Sequence, residues 1–440
     1  MENRRHDRAE PDASAPGSTR FTRRGLLKSA AAIASATIFP FGFAGAALPQ
    51  GTSATKLGSS KSEAPAKNPR WYGFNLLEYF STDPDWMKYF PYKNDGMFLE
   101  NDFRWIRDWG FNWVRLPMDY RFWTDTHNPL KIHEESVVPI DRAIRLGEKY
   151  GIHVNLCLHR APGYCILDIM DEALTGIHVT KERTNVFTDS KPQDTFVYQW
   201  TYFADRYKGI SSDKLSFNLV NEPYNPLTAA ETEEMKKVGD KAEEFRAEAM
   251  RRHAQEYVRV ARAAIESIRK HDPDRLVVTD GLTAGSEPIP RLFDTRVLQS
   301  CHTYNPVQLT HYQCEWARGM LTGSEPEPTW PLNDSKGNVI CDREILTRTF
   351  QPWGMLAEQG IPIHFGEMGC YKHTPPQVVL AWFSDTLSVL GELHVGWALW
   401  NFRGPFGVLD TERAGTKYEK WHNRQLDRPL LSLLQQKMKA

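Results

Sequence analysis

The sequence has almost no net charge: 54 Lys and Arg stand against 55 Asp and Glu, leaving −1 at neutral pH. That balance offers no general attraction to nucleic acid or to an anionic membrane surface, and it suits neutral partners. Cysteine is sparse, at six in 440 residues. There is no Cys-x-x-Cys pair and no His-rich cluster, so no spacing suggests a bound metal and no cofactor is expected. Also missing are the paired His after an early strand, and the Lys or Asp centre, that a metal-dependent barrel hydrolase would need. Neither an internal repeat nor an appended binding module is visible. What the chain does have is rings. Its 14 Trp, 16 Tyr and 22 Phe are enough to fill a large core and still line a cleft.

The first 47 residues form a separate object. Thr22-Arg23-Arg24-Gly25-Leu26-Leu27-Lys28 precedes an Ala-rich, weakly apolar run and then Ala44-Gly45-Ala46, an order that resembles a twin-arginine export signal cleaved near Ala46. Pro40 and the small residues near its end weaken a spanning helix, so no stable membrane anchor is expected after cleavage. Residues 48–68, rich in Ser, Pro, Gly, Ala and Lys, read as a flexible lead-in, and 69–440 as one catalytic domain. In an exported chain cysteines can pair, and Cys314 and Cys341, which flank one long loop, are the preferred pair. Oligomeric state is left open by the sequence.

From Trp71 onward short apolar or β-branched runs alternate with longer amphipathic stretches, the pattern of repeated β-α units around a parallel sheet. The predicted strands are 71–76, 113–116, 153–158, 216–220, 275–279, 297–301, 362–366 and 395–400. Eight strands suit a single (β/α)8 barrel, a fold of about 250 residues that tolerates long insertions in its βα loops. Helices are predicted over 98–109, 139–150, 194–207 and 231–271, the last broken near Asp240. A long loop spans 302–342, and a closing helix follows Asp410. Arg115, His159, Asn221, Glu222, His302, Tyr304, Glu367 and Trp400 each fall at or just past the C-terminal end of a predicted strand. In a barrel that end is where active sites form.

Two of these residues are carboxylates, Glu222 in FNLVNEPY after the fourth strand and Glu367 in IPIHFGEMGCY at the seventh. Strands four and seven face each other across an eight-stranded barrel, so both side chains reach a shared cleft. Two convergent carboxylates are what glycosidic bond cleavage requires: one protonates the leaving oxygen, and the other attacks or activates water from the far side of the sugar. Asn221-Glu222-Pro223 and Phe365-Gly366-Glu367 resemble the acid/base and nucleophile motifs of glycoside hydrolase family five, the cellulase-type family of retaining β-glycosidases. The resemblance runs from Trp71 to about Asp410 and rests on further matches in the same order.

The resemblance implies roles for the rest. Arg115 supports the nucleophile by a charge-assisted hydrogen bond, and His159 walls the sugar subsite beside the cleaved bond. Asn221 reaches the sugar 2-hydroxyl, His302 lies near the acid/base, and the Tyr304 hydroxyl near the nucleophile. Trp400 becomes a platform for a pyranose ring, while Trp397 reads as core. Asn75, Glu78, Tyr164, Trp316 and Trp330 stand open between further sugar contacts and packing. The implied partner is a β-linked oligo- or polysaccharide, cleaved by double displacement with the carboxyl groups about 5–5.5 Å apart. Transglycosylation with the same residues, or a catalytically silent carbohydrate-binding barrel, are the competing readings.

Overall fold

The computed structural model describes residues 70–87, 90, 97–125, 127–169, 184–317 and 320–439. The export signal, its cleavage point and the 48–68 lead-in lie outside the described residues. Parallel strands form the barrel wall: β1 Tyr72–Asn75, β2 Trp113–Asp119, β3 His153–Ala161, β4 Leu215–Asn218, β5 Leu276–Asp280, β6 Leu298–Thr303, β7 Ile363–Met368 and β8 Gly396–Leu399. Each pairs with the next, and β8 returns to β1 through Tyr72↔Trp397, so the sheet closes. The strands read as apolar runs because both faces are covered, inside by the barrel filling and outside by helices.

The helices are α1 Glu100–Asp108, α2 Glu134–Tyr150, α3 Ser190–Arg206, α4 Ala242–His271, α5 Arg343–Glu358, α6 Pro376–Glu392 and α7 Arg428–Lys437. Their inner stripes bury Phe103, Trp200, Trp353 and Trp382, each at most 1% exposed. The predicted break at Asp240 is present: a short helix, Ala229–Lys237, and a 3-10 turn, Gly239–Lys241, precede α4. Between β5 and β6 a four-residue turn, Leu282–Gly285, and a 3-10 turn, Pro290–Thr295, stand where a full helix would complete the repeat. Among the described residues, no helix is long and apolar enough to cross a membrane.

Several expectations need correction. The helix predicted from Pro139 starts at Glu134, where Glu134 and Glu135 place negative charge on the first turn and favour it electrostatically. The 302–342 loop carries short turns at Val307–Thr310 and Glu315–Ala317 and a small hairpin, Leu332–Asn333 with Val339–Cys341. A second hairpin, Glu419–Trp421 with Arg424–Leu426, comes before the closing helix. The Cys314–Cys341 disulfide is not formed. All six cysteines are free and buried, and Cys314 and Cys341 each sit in the apolar core as small hydrophobes.

The barrel interior is built in layers. Near its N-terminal end Trp71 stacks on His153 with ring centroids 3.9 Å apart, and Trp113 lies 4.6 Å from His364. One alternation further along the strands the filling becomes polar: Asn75 on β1, Arg115 on β2, Asn218 on β4 and Asp280 on β5. This layer is the floor of the site.

Candidate active site

Arg115 occupies the centre of that floor at 1% exposure. Its Nε donates to Asn218 Oδ1 at 2.8 Å, Nη1 to Asn75 Oδ1 at 3.1 Å and to Glu367 Oε1, and Nη2 to Asn221 Oδ1 at 2.8 Å. Nη2 also lies 3.2 Å from Asp280 Oδ2, so one guanidinium serves two buried carboxylates. A planar fork with five N–H donors is the group that can do this.

Glu367 is placed by a fault in the ladder. The register between β6 and β7 shifts between Phe365 and Glu367, so that Glu367 rather than Gly366 stands opposite His302. Gly366 is required at the shift: a Cβ there would meet Ser300 Oγ at 2.4 Å and His302 Nε2 at 3.2 Å. The Glu367 carboxylate is then held from two sides, Oε1 by Arg115 and Oε2 by the Tyr304 hydroxyl at 2.9 Å.

Glu222 follows β4 with φ +47°, in the left-handed region that non-glycine residues seldom enter. Its N–H donates to Asp280 Oδ2 at 3.1 Å and its carbonyl accepts from the Tyr164 hydroxyl at 2.6 Å. Its side-chain Oε1 lies 2.9 Å from His302 Nδ1. Glu222, His302 and Glu367 each present one such atom within 4.8 Å of the others. One carboxylate oxygen of Glu222 and one of Glu367 thus lie within 4.8 Å of each other, so both groups reach one shared bond.

The electrostatics separate the groups. Burial raises the Glu222 pKa and Glu367 raises it further, against the opposing effect of His302, so Glu222 keeps its proton to higher pH than a free glutamate. Burial pulls the His302 pKa down, but Asp280 and Glu367 outweigh it and push it up to about 10. Asp280 is itself held well below the ordinary carboxylate range because His302 and Arg115 overcome its burial. The Glu222, His302 and Glu367 atoms lie close enough together to bind a cation. A doubly protonated imidazole has no lone pair for a metal, however, and Arg115 already supplies positive charge, so the donor set fits a proton-transfer site better than a metal centre.

The remaining expected residues converge on the same floor. Asn221 accepts from Arg115 through Oδ1, and its buried Nδ2 has no hydrogen-bond partner among the described residues. His159, two residues before the end of β3, has Nδ1 likewise buried and without a hydrogen-bond partner among the described residues. Trp400 is 6% exposed, with its ring 5.7 Å from that of His159 and 5.5 Å from that of Phe80, so most of it is wall rather than open platform. Trp397 is core, against Tyr72 and Phe111.

Asn75 is fully engaged by Arg115, Gly366 and Leu399. The Tyr164 hydroxyl bridges Glu222 and Tyr224, and Trp330 donates to Asp385 on α6. These three have structural duties. Glu78 pairs with Arg403, and Trp316 packs on Phe90 and Tyr371.

Asp280 escaped the sequence reading. The predicted fifth strand stopped at Thr279, one residue short of a carboxylate that closes the run Leu276-Val277-Val278-Thr279. A charge ending a doubly buried strand was the available signal.

The family model for cellulase, glycosyl hydrolase family 5, matches residues 64–404. A crystal structure described as a glycoside hydrolase is 35% identical, with a TM-score of 0.68 over 84% of this chain and 99% of that one. Endoglucanase C of Acetivibrio thermocellus is 23% identical over 74% of this chain and 90% of its own length. Thermotoga maritima Cel5A, solved with cellobiose and with mannotriose, shares the fold at 20% identity and a TM-score of 0.58, over 83% of this chain and 97% of its own.

Proposed function

The chain belongs to glycosyl hydrolase family 5, the cellulase family, and from that membership we propose a retaining cleavage of β-glycosidic bonds with Glu367 as nucleophile and Glu222 as general acid/base. The protein is an O-glycosyl hydrolase, and its substrate class is β-linked glucan, in line with the endoglucanase and cellodextrinase it is similar to. The observation that carries the site assignment is the pair of converging carboxylates with unequal partners. Glu367 is held by a guanidinium and a hydroxyl, while burial raises the pKa of Glu222 above that of a free glutamate.

In the first step a Glu367 oxygen bonds to the anomeric carbon as the glycosidic C–O bond breaks, and Glu222 passes its proton to the departing oxygen. His302 then donates to the Glu222 carboxylate left behind. In the second step Glu222 takes a proton from water, the water oxygen bonds to the same carbon, and the bond to Glu367 breaks. Two inversions restore the β configuration. The unpartnered Asn221 amide is the donor suited to the sugar 2-hydroxyl, and His159 with Trp400 walls the ring.

Among glycans, cellulosic β-glucan ranks first and β-mannan second, the latter because the related Cel5A was solved with mannotriose. Export to the periplasm or the extracellular space rests on the twin-arginine-type motif Thr22–Lys28 and the small residues at 44–46. Proton NMR of the first-formed hemiacetal tests the stereochemistry. The β anomer is expected before mutarotation, and an initial α anomer would replace double displacement by a single inversion.

A further inference from the structure

We propose that Asp280 is the positioning residue for the acid/base: one buried carboxylate ties the left-handed Glu222 backbone and the His302 ring together, so that Glu222 meets a fixed imidazolium. This rests on the glycosidase reading of Glu222 and goes beyond it.

Asp280 is 0% exposed and uses both oxygens. Oδ1 accepts from Asn218 Nδ2 at 2.9 Å. Oδ2 accepts from Arg115 Nη2 at 3.2 Å and the Glu222 N–H at 3.1 Å, and it faces His302 Nε2 at 3.3 Å. Strands β2, β4 and β6 and the turn after β4 therefore converge on this one side chain. The Glu222 peptide needs such an anchor, because its left-handed conformation persists only where the surroundings over-determine it. With its N–H on Asp280 and its carbonyl on Tyr164, both sides of the residue are clamped.

The ring is fixed as firmly. The segment that leaves Asp280 runs through three successive left-handed residues, Thr283, Ala284 and Gly285, and presses on His302 from behind. A Cβ at Gly285 would lie 2.7 Å from the His302 Cβ. The ring thus has Glu222 hydrogen-bonded at Nδ1, the Asp280 carboxylate 3.3 Å from Nε2 as a charge contact without hydrogen-bond geometry, and a glycine backbone against its base.

Charge supplies the function. His302 is faced by Asp280 from β5, Glu222 after β4, Glu367 from β7 at 3.5 Å, His159 from β3 and His364 from β7. Glu222 is faced by His302, Glu367 and Asp280, with the Tyr164 and Tyr304 hydroxyls nearby. With Glu222 protonated, the two anions Glu367 and Asp280 balance the two cations Arg115 and His302. Taking away Asp280 leaves one anion for two cations, and His302 is the one able to release a proton. Glu222 would then lose the charged donor that favours its carboxylate form.

The test is Asp280→Asn, which keeps an acceptor for the Glu222 N–H and removes the charge. In the native protein, 15N–1H NMR of the imidazole is expected to show both His302 N–H protons from pH 6 to 8, with one lost by pH 8 in D280N. Hydrolysis of an aryl β-glycoside should fall by roughly 10²-fold, with the alkaline limb of the pH–rate profile moved to higher pH. A D280N profile that superimposes on the native one, or an unchanged His302 spectrum, overturns the proposal. Should D280N fail to fold, the native spectrum alone decides, since a singly protonated ring at pH 7 is incompatible with it. The ring measurement needs no substrate, so it is separate from failure of the glycosidase reading, which would show as undiminished hydrolysis by E367A.

Discussion

Replacing Arg115 with Met keeps the volume and deletes the charge on which the floor of the site is organised. Glu367 and Asp280 would both lose their guanidinium while remaining 3% and 0% exposed. Removing one partner of a buried ion pair costs about 3–5 kcal/mol, because the charge left behind cannot return to water. An unfolding entropy of about 2.1 cal/mol/K per residue over roughly 370 residues is ~0.8 kcal/mol/K, so Tm should drop by ~4–6 °C. Activity should suffer more than stability. Arg115 fixes Glu367 Oε1 and, through Asn221 Oδ1, the amide meant for the sugar, and loss of a preorganised electrostatic contact costs about 10²- to 10³-fold in kcat. Calorimetry together with steady-state hydrolysis of an aryl β-glycoside measures both. Arg115→Lys, which retains the charge but not the fork, should be intermediate on both scales. A Met variant with native Tm and kcat within threefold of native would refute the idea that the guanidinium organises both carboxylates.

Glu222→Ala should slow hydrolysis of substrates with poor leaving groups far more than that of a dinitrophenyl β-glycoside, and added azide should restore turnover and yield the β-glycosyl azide. Absence of that product at any azide concentration would argue against Glu222 as acid/base. His302 links stability to pH. Its pKa is about 10 when folded and about 6.5 when unfolded, so its contribution is complete below about pH 6.5 and is lost as pH rises towards 10. The limit for this one coupled group is ~5 kcal/mol, and thermal melts from pH 6.5 to 9 should fall more steeply for the native protein than for His302→Asn. Equal slopes would mean that His302 gains no proton on folding.

Much of this was legible before any coordinates. Parallel strands buried on both faces leave apolar runs, and a polar residue at the end of such a run has little to do except line a site. That logic brought Arg115, Asn221, Glu222, His302, Tyr304 and Glu367 to one floor, where they lie within hydrogen-bond reach of one another. Asp280 was missed because its run was cut one residue early. Nothing local marks an aspartate that serves through contacts with residues 22 to 165 positions away.

The register shift at Phe365 and Glu367 was equally hidden, since a bulge shows itself only against its partner strand. The disulfide expectation failed for a different reason. Loop flanks at 314 and 341 indicate sequence proximity to a turn, not the short Cβ separation that a bridge requires, and in a large core a buried thiol needs no partner.

The assignment of nucleophile is most directly tested by trapping the intermediate. A 2-deoxy-2-fluoro β-glucoside with an activated leaving group slows both steps but the second more, and so should inactivate the enzyme as a stable glycosyl ester. Peptide mapping by mass spectrometry is expected to find the added sugar on the fragment containing Glu367 and on no other. A label on Glu222 or elsewhere, or steady turnover of β-glycosides with no ester ever detected, would contradict an attack by Glu367 on the anomeric carbon.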